Sequence, residues 1–104
     1  MAKSYYEIQM NFRNANQTAD RLQTMSNKLK NLANERYYSS LRSISTSWKG
    51  ENAERFLKKA EKVKNDMVRT SSDLAKAADA VRTIARNTYN AEMRAREIAM
   101  TRSK

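Results

Sequence analysis

One glycine, Gly50, stands close to the midpoint of a 104-residue chain that contains no proline. These two residue types break helices and build tight turns, so a chain with one of them in total has few places to reverse direction. Sheets need several turns, which leaves β and α/β architectures nothing to work with. The expectation is an all-α fold with one principal turn. The glycine ends the run Ser43-Ile44-Ser45-Thr46-Ser47-Trp48-Lys49-Gly50, in which serine and threonine compete for backbone hydrogen bonds and favour helix ends. Gly50 reaches positive φ cheaply, as a helix terminus or tight turn requires. Glu51 and Glu54 then fall in the first turn of a following helix, where its dipole favours carboxylates.

Both flanks carry helical periodicity. With Ala53 as position a of a heptad, the a series runs Ala53, Ala60, Met67, Leu74, Val81, Thr88 and Ala95. Position d runs Phe56, Val63, Thr70, Ala77, Ile84, Ala91 and Ile98. Such a sustained apolar repeat predicts a coiled-coil seam along one helix, with a and d carrying the hairpin. In the first half, Ile8, Phe12, Ala15, Ala19, Leu22, Met25, Leu29 and Leu32 advance by threes and fours. The phase slips near Arg36 before Tyr37, Leu41, Ile44 and Trp48 resume it. One helix with a register shift near Glu35–Tyr38 accounts for this, as does a short break there.

The resulting expectation is a single helical-hairpin domain over residues 1–104: a helix over about 4–45, a turn over about 46–50, and an antiparallel helix over about 51–100. Its packing residues, against itself or a partner, are Ile8, Phe12, Leu22, Leu29, Leu41, Phe56, Val63, Met67, Leu74, Val81 and Ile84. A two-helix layer buries little. The first helix also carries Tyr5, Tyr6, Met10 and Tyr38 off its main stripe. A second hairpin is therefore expected to pack against this one as a four-helix bundle dimer.

Cysteine and histidine are both absent, which excludes disulfides, thiolate or imidazole metal sites and histidine acid–base catalysis. Acidic residues are scattered without metal-loop spacing, and a hairpin offers no deep cleft, so neither enzymatic activity nor a cofactor is expected. Apolar runs are too short to span a bilayer, and the N-terminus lacks the apolar core of a secretory signal. The net charge is +10, with seven Lys/Arg against three Asp/Glu in residues 1–47 and fourteen against eight in 48–104. Such an excess fits an acidic partner, a nucleic acid or an anionic surface, or a solvated basic exterior.

With these features in place the chain resembles the WXG family of ESAT-like proteins, small substrates and partners of bacterial type VII (ESX/Ess) secretion. The resemblance covers the whole length. Its core is Trp48-Lys49-Gly50 followed by Ala53 and Phe56, which repeats the family's W-x-G-x-x-A-x-x-F pattern. It implies a hairpin that forms a homodimer or heterodimer in the cytoplasm and is exported folded through a membrane ATPase, without a cleaved signal peptide. It also implies that Trp48 and Gly50 form a turn and recognition motif, completed by a C-terminal Tyr-x-x-x-Asp/Glu of the partner. Here Tyr89 is followed by Glu92 three residues on, and the fourth position is Met93. Either Tyr89/Glu92 is a variant of that export signal or the partner supplies it. Similar small proteins bind the helical domain of LXG-type toxins as targeting chaperones, and the resemblance extends to that adaptor role.

Two other classes compete. A basic helical module binding nucleic acid is the alternative, carried by Arg82, Arg86, Arg94, Arg96, Arg102 and Lys104. Tyr89 is the one stacking surface in that stretch, and acids interleave the cations of residues 49–79, which blunts a phosphate-tracking stripe. Stable membrane insertion is not expected, because a narrow alanine-rich seam suits helix–helix packing better than acyl chains.

Overall fold

The computed structural model describes residues 3–102, and among them there are helices and no strands. Helix α1 spans Tyr5–Asn31, a π-helical segment spans Leu32–Tyr37, α2 spans Tyr38–Ser47, and α3 spans Glu51–Arg102. Two long helical arms thus pack against each other as a hairpin around the turn Trp48–Gly50. Lys104, the last cation of the basic stretch, lies outside the described residues.

Local chemistry sets the boundaries. Ser4 starts α1: its hydroxyl accepts from the Glu7 amide at 3.1 Å and its carbonyl from the Ile8 amide at 3.0 Å, satisfying donors that a helix start leaves open. No residue between there and Ser47 ends the helix, so the phase slip is absorbed as a π segment. An i→i+5 turn accommodates one extra residue and rotates everything after it. The segment opens at Leu32, three residues before the sequence pattern betrays it, because the rotation must begin upstream of the first displaced side chain.

The chain forms two compact units. The first joins the arm through Leu22 to α3 from Lys76 onward. Lys3 meets Glu92, Gln9 meets Tyr89 and Asp20 meets Arg82, an antiparallel order. Ile8, Ala19, Ala78 and Ala85 are its buried apolar residues. The second unit is Gln23–Ala75 and holds the turn. There the Ser26 hydroxyl donates to the Ser71 carbonyl at 2.5 Å and the Tyr37 hydroxyl to the Ala60 carbonyl at 3.0 Å. Its buried residues are Ser26, Ala33, Ala53, Ala60 and Ser71.

These interiors correct one expectation. Position a faces inward from Ala53 to Val81, while Thr88 and Ala95 are exposed, and position d does not face inward: Phe56, Val63, Ile84 and Ile98 are exposed. The inward companion of a is position e, four residues on, where Ser71, Ala78 and Ala85 are buried and Leu57 is half-buried. Small side chains at e let the helix backbones approach, so each unit closes on its alanine and serine rows. The larger d residues are left on a flank. Ile8 is the one large side chain fully buried among the described residues.

Candidate functional site

The turn gathers the motif residues. Trp48 leaves the helix in an extended conformation (φ −122°, ψ 119°), while its amide still donates to the Ile44 carbonyl at 2.8 Å. The Lys49 ammonium reaches back to the Ser45 carbonyl at 2.6 Å, placing a cation on open acceptors at the helix C-terminus. Side chains of Ser45, Thr46 and Ser47 also donate to backbone carbonyls of the preceding turn. Gly50 sits at φ +110°, and a Cβ built on it would meet nothing within 4 Å. Backbone conformation alone therefore asks for glycine here. Its carbonyl accepts from the Glu54 amide at 3.0 Å, opening α3.

The spacing after the glycine then acquires a physical reading. Ala53, in the first turn of α3, is buried. Phe56, one further turn on, meets the Trp48 ring at a centroid distance of 5.6 Å and 48° between planes. Gly50 supplies the positive φ of the turn, and Phe56 seats the indole. Both rings stay over two-fifths exposed. An indole held in a fixed pose yet open to water is a ready contact surface.

Tyr89 and Glu92 belong to the other unit, and both are tied to the first arm. The Tyr89 hydroxyl accepts from Gln9 Nε2 at 2.9 Å, and its ring packs on Phe12 at 4.8 Å. Glu92 pairs with Lys3 at 2.8 Å. That hydrogen bond, with the carboxylate charge, holds the Lys3 ammonium above its ordinary 10.5. Sequence reasoning did not find Lys3 or Gln9. A lysine and a glutamine near an N-terminus carry no periodic signal, and only the antiparallel register brings them opposite α3.

Beside Tyr89 an apolar groove of roughly 210 Å³ runs between the arms, walled by Ile8, Phe12, Ala15, Val81, Ile84 and Ala85. Of the other packing residues, Leu22, Leu29, Leu41, Met67 and Leu74 are half-buried. Among the described residues no group of three or more acidic side chains converges to hold a metal, and no helix is long and apolar enough to cross a membrane. Arg82 of the basic stretch is engaged with Asp20 and Asp79, and Arg96 lies over the Tyr5 ring at 5.5 Å. No family model, curated protein or solved structure matches this chain.

Proposed function

We propose that this hairpin is a pairing module of a bacterial type VII secretion system. In this reading it joins a second helical chain, either as a co-exported substrate or as the targeting adaptor of a larger LXG-type toxin. The observation that carries the reading is where the large apolar side chains are. Alanine fills most of the interior, while Trp48, Phe56, Val63, Ile84 and Ile98 stay exposed. A chain that leaves such residues in water has a surface for another protein to cover. The Trp48–Phe56 platform beside Gly50 supports a recognition role for the turn, and Tyr89 with Glu92 is the candidate partner to it in the export signal.

The test is export in the native host. Tagged chain, and any toxin bound to it, is followed in medium and cells of the parent strain and of a strain lacking the secretion ATPase. The reading expects the chain or its cargo in the medium of the parent alone. Equal amounts from both strains, or none of either protein outside the cell, contradict it. Trp48→Ala and Tyr89→Ala then separate the two halves of the signal, each expected to reduce export while the hairpin stays helical.

A further inference from the structure

Tyr38 opens α2 directly after the π segment, and its side chain is exposed. Its neighbour Tyr37 spends its hydroxyl on the Ala60 carbonyl of α3, whereas the ring of Tyr38 collects cations. The Lys64 ammonium of α3 lies 4.5 Å from the Tyr38 centroid, and the Arg42 guanidinium of α2 lies 5.9 Å from it. One cation over a ring is an ordinary contact. Two, brought from different helices, gather like charge at one place, which costs energy unless an anion joins them. π turns recur at functional sites, and this one ends against the cluster.

The protein itself supplies no such anion. Among the described residues neither Arg42 nor Lys64 forms an ion pair, and no hydrogen bond engages either side chain or the Tyr38 hydroxyl. The three residues line one open cleft of roughly 260 Å³ together with the half-buried Leu41 and Leu57. Lys64 is itself half-buried, so its charge is screened less than that of a lysine in open solvent. Glu61 also lines the cleft and leaves the positive charge there in excess.

The donors specify the ligand. Two positive charges call for a dianion, and guanidinium, ammonium and phenol together call for several acceptor oxygens. A phosphate monoester carries close to two negative charges at neutral pH and presents three strong acceptors. A carboxylate or a phosphodiester carries one charge. We propose that Tyr38, Arg42 and Lys64 form a binding site for a phosphate monoester group. The site shares no residue with the turn motif or with Tyr89 and Glu92, so it stands or falls independently of the secretion reading.

Glycerol phosphate titrated into the full chain at constant ionic strength, followed by NMR, tests it, with dimethyl phosphate and methyl sulfate as singly charged controls. The largest shifts are expected at Tyr38, Arg42 and Lys64, with binding at least about fivefold tighter than that of either control. Lowering the pH from about 7.5 to about 5.5 takes the monoester through its second ionisation near 6 and should weaken it, while methyl sulfate stays flat. The chain has no histidine, the side chain that titrates in that range.

Arg42→Gln and Lys64→Gln should each weaken binding at least about fivefold, and Tyr38→Phe about twofold. Lys58→Gln removes the same charge from an exposed position of α3 outside the cleft and should leave binding within about twofold. Circular dichroism verifies that the variants fold. Vesicles of phosphatidic acid, whose headgroup is the same monoester, separate the sources: sedimentation lost in Lys64→Gln assigns the phosphate to a lipid, and no sedimentation assigns it to a soluble ester. Equal affinity for the monoester and the singly charged probes overturns the proposal. So do equal losses from Lys58→Gln and Lys64→Gln, which leave net charge as the only attraction, and so does the absence of binding.

Discussion

At the residue scale the turn rests on Gly50 and Trp48, for different reasons. Gly50 has open space around it and φ of +110°, so any other side chain meets backbone strain rather than a clash. Gly50→Ala is predicted to cost about 1–3 kcal/mol, the usual range for a non-glycine held in such a region, read from urea unfolding. A cost near zero would mean the turn relaxes freely. Trp48→Ala gives up the Phe56 contact but little enclosed surface, and about 1–2 kcal/mol is expected. As the sole tryptophan, Trp48 also reports the turn directly: Phe56→Ala should shift its emission, and an unchanged spectrum would contradict the stacked geometry. Lys3 gives a pH dependence. Its pKa is raised in the folded state by Glu92, so its contribution to stability is fully present below the unfolded value and fades as pH rises through the raised one. The stability difference between the native chain and Lys3→Met should therefore vanish in strong alkali. A difference that persists there would contradict the ion pair.

At the element scale, two features were legible in the sequence to different degrees. Helix extents followed from the scarcity of glycine and proline together with the serine-rich run before Gly50. The rotation of α3 did not follow. An a/d and an a/e seam share position a, and bulky residues at d advertise themselves more strongly than alanine and serine at e. Ala78 and Ala85 were the available signal: small residues seven apart mark a close approach. Ala78 is fully buried, so Ala78→Leu is predicted to cost about 1–3 kcal/mol through overpacking, while Ile84→Ala, on the flank, should cost under about 1 kcal/mol. Reversed magnitudes in thermal or urea unfolding would restore the a/d seam. The π segment makes a sharper prediction. Deleting the exposed Asn34 inside Leu32–Tyr37 should convert the segment to α-helix, preserve register on both sides and keep the chain helical. Deleting Asn27, within α1, rotates Leu29 and Ala33 off their faces and should unfold the arm. Equal damage from the two deletions would rule out the one-residue accommodation.

At the scale of the whole molecule, an alanine interior and a basic exterior bear on each other. Small structures that bury few large side chains fold with little to spare, and this chain leaves much of its apolar bulk on the surface. Its stability alone is expected at the low end of the range for small domains, about 5 kcal/mol or less. The sequence carried the apolar content and the net charge that make this legible. It did not carry the groove, because Ile8, Phe12, Val81 and Ile84 come together only once the arms are registered. The alternative of nucleic-acid binding draws on the same charge, and an affinity falling steeply with salt and indifferent to sequence would be its signature. The central claim is that another helical chain completes this hairpin. Its most direct test is affinity capture of the tagged chain from nuclease-treated lysate of its native host, read by mass spectrometry. The account predicts a stoichiometric small helical protein or LXG-type toxin. Capture of no protein at all, with nucleic acid recovered once nuclease is omitted, would contradict it.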